Sequence, residues 1–267
     1  MCKEGKKLKS NGLKGILAVL LCVFLLSSIA LAEEMETEYL HWKGNKLYSE
    51  RNYEEALGYF ERAVAQDANY TDSWLYIGHT LKALKNYTEA ITSYERVLVL
   101  DPNSSAAWDG KAGAYATLND YKNATASEIE ATRLSPESKY YWYNLGNYQQ
   151  RLGNFSDSLS SFDNATAIDP SYKEAIYRKG ISIMATGDPE GSIQHFEAVI
   201  DIDPQYYQAY NAMGLALEAG GKYEEALESY EKALEINPNY SQAKINRVHA
   251  LMKLKDYQTA MELFLTL

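Results

Sequence analysis

From about Thr37 onward, the hydrophobic and polar positions of this chain follow one pattern copied every 34 residues. The copy from Tyr207 to Tyr240 shows it most completely. Tyr210, Met213, Gly214 and Leu217 stand at i, i+3, i+4 and i+7, the spacing of one helix face. Gly220-Gly221 ends that helix, because glycine accepts the left-handed geometry of a helix end. A second face follows in Tyr223, Ala226, Leu227, Tyr230, Ala233 and Leu234. Asn237-Pro238 stops it, since proline disfavours helix in the residue before it. The pattern predicts an antiparallel helix pair, A then B. Small Gly214 and Ala226 fall at the expected crossing, where a bulkier side chain overpacks by about 1–3 kcal/mol. One such pair cannot bury its apolar face alone, so stacked copies must complete the core.

The copies run over 37–70, 71–104, 105–138, 139–172, 173–206 and 207–240, with a partial seventh over 241–267. An aromatic at position 4, Leu-Gly at 7 and 8, Ala at 20, an aromatic at 24, Ala at 27 and Pro at 32 together resemble the tetratricopeptide repeat. That resemblance covers nearly all of the chain past residue 36. It implies an all-α solenoid of helix-turn-helix units, coiled as a right-handed superhelix, whose concave surface is lined by helix A. Repeat 3 is the irregular copy. Gly110 and Gly113 lie inside its helix A, each costing about 0.5–1 kcal/mol relative to alanine. Glu128 occupies its position 24 in place of a ring. This reads as the softest joint of the stack, or as a place where a partner approaches the backbone. Tyr53, Tyr87, Tyr121, Tyr223 and Tyr257 at position 17, and Tyr94 and Tyr230 at position 24, read as core contacts.

Residues 1–34 are of another kind. Lys3, Lys6, Lys7, Lys9 and Lys14 precede the unbroken apolar run Ile16 to Leu26, and Ala30-Leu31-Ala32 is a small-x-small cleavage pattern. This is the order of a secretory signal peptide. The rival reading is an uncleaved membrane anchor over 16–32, at the short end of the roughly 17–25 residues a bilayer span needs. Either places residues 35–267 outside the cytoplasm, secreted or in the cell envelope, because the positive flank stays inside. A lipoprotein reading of Cys22 is weaker, since Leu20-Leu21 precede it. Cys2 and Cys22 both lie in this segment, so the repeats hold no cysteine and no disulfide. The whole chain carries a net charge of −10, and the lysine-rich start conceals a still more acidic remainder. Nucleic acid and anionic lipid surfaces are poor ligands for such a surface.

Candidate chemistry is sparse. GxGxxG, P-loop, HExxH, GxSxG and CxxC signatures are absent, which points to a non-catalytic protein without cofactor or metal. Acidic and basic residues alternate along helix surfaces, Glu228 with Lys232 for instance. His41 and His79 fall on helix A of adjacent repeats with no third ligand evident, so a metal site there is disfavoured. Asn69, Asn86, Asn103, Asn123, Asn154, Asn164 and Asn239 each begin an N-x-S/T sequon, where roughly two are expected by chance. Their repeat positions are turns and the outer side of helix B, which makes them glycosylation candidates in an exported chain; turn-forming Asn, Ser and Thr also co-occur without modification.

By the resemblance, the groove of the middle repeats is lined by Tyr140, Tyr143, Asn144, Asn147, Gln150, Arg151, Tyr177, Arg178, Ile181 and Met184. Tyrosine and arginine are enriched in binding hot spots, and Asn and Gln can hold a peptide backbone. The same tyrosines could instead only pack neighbouring helices. The carboxylate clamp of chaperone-binding members is incomplete here, with Tyr143 where lysine is expected. The expectation is therefore an exported interaction scaffold that binds a protein or peptide segment of unknown identity. Two alternatives stand beside it: a membrane-tethered assembly factor, and a structural cell-envelope protein that self-associates through its apolar C-terminal end.

Overall fold

The structure is a computed structural model that describes residue 31 and residues 33–265. The lysine-rich start and the apolar run at 16–26 lie outside the described residues. Every regular element among the described residues is an α-helix. Helix α1 spans 33–49 and α2 Tyr53–Gln66. The pairs then continue as α3 Thr71–Ala83 with α4 Tyr87–Leu100, and α5 Ser105–Thr117 with α6 Tyr121–Leu134. Next come α7 Lys139–Arg151 with α8 Phe155–Ile168, and α9 Lys173–Ala185 with α10 Pro189–Ile202. The last are α11 Tyr207–Ala219 with α12 Tyr223–Ile236, and α13 Ser241–Lys253 with α14 Tyr257–Phe264. From α3 to α13 every A helix has 13 residues, and from α2 to α12 every B helix has 14. The α-solenoid expected from the 34-residue pattern is the architecture found.

The described residues form two compact units that divide between Ala114 and Tyr115, inside α5. The division thus lies in the repeat whose sequence is least regular. In the first unit, Phe60 and Tyr94 are fully buried and anchor a core with Leu47, Val64, Ile77, Leu81 and Val97. In the second, Phe162, Phe196 and Tyr230 are fully buried in successive repeats. Burying a ring of this size contributes about 1.5–3 kcal/mol, so each of these five residues holds its own helix pair together.

Each such ring sits on a glycine of its own helix A. A Cβ on Gly78 would stand 2.5 Å from the Tyr94 ring, on Gly146 2.6 Å from Phe162, and on Gly180 2.7 Å from Phe196. Gly214 is small for the same reason, with the Tyr230 ring as its neighbour. The glycine expected to allow helix backbones to approach in fact makes room for the aromatic at position 24. Gly110 also has a packing reason, because a Cβ there would meet the same Tyr94 ring at 2.6 Å. Repeat 3 changes both partners together: Ala112 replaces the glycine, and Glu128 replaces the ring and is itself fully buried.

Three other expectations need correction. The most buried residues of α11 are Ala209, Asn211, Ala212, Gly214 and Ala216, while Tyr210, Met213 and Leu217 flank them half-buried. Position-17 tyrosines open the B helices and are half-buried, with Tyr257 61% exposed, so the core tyrosines are Tyr94 and Tyr230 alone. Lys232 pairs with Glu235 at 2.6 Å, one turn onward, in place of Glu228.

The turns repeat as strictly as the helices. Position 15 has positive φ in every repeat: Arg51 (62°), Lys85 (66°), Asn119 (62°), Gly153 (79°), Gly187 (95°), Gly221 (77°) and Lys255 (65°). Of the Gly220-Gly221 pair, only Gly221 is left-handed; Gly220 has φ −82°.

Candidate binding face on helices α7 and α9

The ten groove candidates all lie in the second unit, on α7 and α9, and the structure divides them by what they already hold. Tyr143 stands between Phe162 (ring centroids 6.1 Å) and Tyr172 (5.2 Å). Tyr177 repeats this one unit on, between Phe196 (5.9 Å) and Tyr206 (5.5 Å). Both rings therefore join the position-24 aromatic to the tyrosine that closes the repeat. Burial pushes the Tyr177 hydroxyl up to about 12 and also raises Tyr172 and Tyr206.

Gln150 is committed to its neighbour helix. Its amide donates to the Arg178 carbonyl (2.9 Å) and to Ser182 Oγ (2.6 Å), which in turn meets Ser158 Oγ at 2.7 Å. Arg151 turns to α6, donating to the Tyr121 hydroxyl at 2.8 Å with its guanidinium 5.0 Å from that ring. Ile181 and Met184 pack on the core around Ile176 and Phe196. Asn144 and Asn147 are half-buried on α7. Tyr140 is 60% exposed and lies edge-on to Tyr172 at 5.9 Å.

Charge separates Arg178 from the lysines of these two helices. Lys139 binds Asp169 at 2.5 Å, Lys173 binds Asp203 at 2.6 Å, and Lys179 binds Asp163 at 2.6 Å. The Lys139 hydrogen bond holds the Asp169 carboxyl down at about 2, and the Lys173 bond lowers Asp203. Lys139 also lies 4.9 Å from the Tyr172 ring. Arg178 is exposed and has no ion-pair partner among the described residues. Tyr140, Asn147 and Arg178 thus present a hydroxyl, an amide and a guanidinium, which suit the carbonyls and carboxylates of an extended chain.

The first unit has a different helix-A face. His41 and His79 are separated by the Tyr76 ring, at 5.4 and 5.9 Å. His41 Nδ1 meets Ser73 Oγ at 2.9 Å and its Nε2 meets the Asn45 amide at 2.9 Å. His79 Nδ1 meets the Tyr94 hydroxyl at 2.8 Å, and burial lowers this histidine to about 4. No group of three His, Cys, Asp or Glu among the described residues could hold a metal ion. In the second unit, Glu218 accepts from the buried Tyr230 hydroxyl at 3.0 Å and pairs with His249. Asn246 donates to Asn211 at 2.9 Å, a buried bond between adjacent A helices. These polar links are not legible in the sequence, because nothing in the repeat pattern pairs positions 9, 12 or 5 with a particular residue.

Two surfaces remain. Val248, Met252, Tyr257, Ala260, Met261 and Phe264 line an apolar hollow in repeat 7, where Met261 is 66% and Phe264 64% exposed. All seven sequon asparagines are exposed. No described helix is long and apolar enough to cross a membrane.

Three tetratricopeptide-repeat models match the chain, over residues 47–114, 143–207 and 207–240, together more than half its length. No curated protein matches it. Among solved structures it is similar to YrrB, a "TPR protein with an unusual peptide-binding site", at 23% identity over 69% of this chain and 95% of that one, TM-score 0.62. It is similar to MamA at 26% identity over 64% and 94%, TM-score 0.60. PilW, described as a "type IV pilus biogenesis factor", superposes with TM-score 0.64 at 22% identity over 72% and 90%.

Proposed function

The chain is a tetratricopeptide-repeat protein, and from that premise we propose that it is an exported, non-catalytic scaffold that binds an extended protein segment on the α7–α9 face. One observation carries this reading. Arg178 stands exposed and without an ion-pair partner among the described residues, between lysines that are all neutralised, on the helix bonded through Gln150 to the one that carries Asn147 and the exposed Tyr140. An exposed guanidinium without a carboxylate partner, on a face that also offers amide and hydroxyl donors, suits an acidic or carboxylate-bearing segment as its complement. Protein binding by the family and by YrrB, whose structure is described as having a peptide-binding site, supports the class of partner. Export is supported by the order of lysines, apolar run and small-x-small site in the first 34 residues.

The test is affinity capture from the native cell envelope with the full chain and with Tyr140→Ala/Arg178→Glu. These side chains are chosen because Tyr143 and Tyr177 are wedged between core rings, and truncating them would unsettle the fold. A partner held by the wild type and weakened at least tenfold by the double variant supports the face. Equal capture by both chains removes it.

The apolar hollow of repeat 7 favours a second reading, self-association. A Phe264→Glu variant should then stay monomeric at concentrations where light scattering finds the wild type dimeric. A wild type monomeric at every concentration removes this reading.

A further inference from the structure

We propose that the turn asparagines Asn69, Asn86, Asn103, Asn154 and Asn239 carry N-linked glycans, and that Asn123 and Asn164 do not. The inference rests on the export in the proposed function, and on no feature of the α7–α9 face.

Exposure is the first observation. All seven sequon asparagines are exposed, whereas of the eight other described asparagines only Asn52 and Asn119 are. Asparagine as such is therefore not surface-bound in this fold; Asn211 and Asn246 are buried. The sequons also avoid the A helices: Asn69, Asn103 and Asn239 lie in turns leading into α3, α5 and α13, and Asn86 and Asn154 are the residues before α4 and α8.

The side-chain amides are the second observation. Asn is a favoured N-cap because its side chain bonds the first turn. Asn86 and Asn154 make no such bond, while Asp120, Asp188 and Asp256 at the same repeat position all cap. Asn52, a non-sequon residue at that position, donates its amide to Glu55 at 2.7 Å. The two sequon residues leave their amides without the role their position offers.

Local backbone separates the remaining two. Asn123 is the third residue of α6 and Asn164 lies in the middle of α8. The Asn123 amide donates to Asp120 at 2.7 Å. The sequon hydroxyls there are covered or engaged: Thr125 Oγ1 is buried, and Thr166 Oγ1 donates to the Phe162 carbonyl at 2.9 Å. Thr88 and Ser156, which complete the sequons of Asn86 and Asn154, are exposed. At Asn123 and Asn164 both the asparagine and the hydroxyl residue lie inside a helix, so an enzyme that reads both must unwind α6 or α8; at the other five sites the asparagine stands before the helix and only the hydroxyl residue belongs to it, in its first two positions.

The donor is a polyprenyl-phosphate- or pyrophosphate-linked sugar. Asn Nδ2 forms a bond to the sugar C1 as the C1–O bond to phosphate breaks. The phosphate leaves with the bonding electrons and takes up the proton that Nδ2 loses. The resulting glycans would stand on turns and leave the A helices uncovered for a partner.

Peptide mapping of the full chain from its native cells, with cell fractionation alongside, tests the proposal. The expected result is added glycan mass at the five turn sites, none at Asn123 or Asn164, and loss of one increment each in Asn86→Gln and Asn154→Gln. Bare asparagines on a chain recovered outside the cytoplasm overturn the glycan proposal and leave export standing. Bare asparagines on a chain retained inside overturn both. Occupancy at Asn123 and Asn164 equal to that of the turns overturns the distinction drawn from the helices.

Discussion

Lys85 and Lys255 hold a backbone geometry that their side chains oppose. Left-handed φ costs a non-glycine residue about 1–2 kcal/mol, yet position 15 adopts it in all seven repeats, with glycine in only three. The turn geometry is thus imposed by the helix pair, and the residue there only sets its cost. Lys85→Gly and Lys255→Gly should each raise stability by about 1 kcal/mol in chemical denaturation, and Gly221→Ala should lower it by about 1 kcal/mol. A second residue-level rule concerns position 24. Phe60, Phe162 and Phe196 need only a space, but Tyr94 and Tyr230 also need a partner for the hydroxyl. His79 and Glu218 supply it, from two different positions of helix A.

At the scale of the helix, one device joins successive pairs. Trp74, Trp108 and Trp142 open their A helices, and each indole N–H donates to the carbonyl six residues earlier: Ala68 (3.0 Å), Pro102 (3.3 Å) and Pro136 (2.8 Å). The bond ties the turn from helix B to the first turn of the next helix A. Trp142→Phe keeps most of the apolar contact and loses the bond, so it should cost about 1 kcal/mol, read from the denaturation midpoint. The A helices bury small residues at positions 3 and 10 as well, such as Ala175 with Ser182 and Ala209 with Ala216. That stripe is hidden in the sequence because alanine and serine are unremarkable on any helix face. The larger Tyr210, Met213 and Leu217 gave the stronger periodic signal although they only flank the buried stripe.

At the scale of the molecule, acid should act through partly buried histidines, His41 and His79 in the first unit and His195 in the second, all lowered by burial. Burial lowers both His41 and His79, the latter to about 4, so the unfolded chain binds protons more readily between about pH 6.5 and pH 4. Stability is therefore full above that window and falls as pH drops through it, by at most about 3 kcal/mol for His79. A His79→Gln variant should flatten this limb in denaturation measured at stepped pH. Loss associated with Asp169 belongs to a lower window, from its ordinary carboxylate range toward pH 2, because its lysine pair holds the folded value down.

The sequence determined the period, the helix pairs, their turns and the core rings, because each recurs at a fixed place and rests on local rules of helix, cap and turn. It also put the ten groove candidates on α7 and α9, since helix A positions are periodic too. Tertiary packing alone decided what their side chains touch. Tyr143 and Tyr177 became wedges between rings, Gln150 a link to Ser182, and Arg178 an uncompensated cation. Tertiary packing likewise put the Tyr94 ring against Gly110, 16 residues along the chain. A 34-residue pattern specifies which positions meet, but whether a given side chain is spent on a neighbour depends on the particular residue facing it, and that pairing is a property of three-dimensional packing.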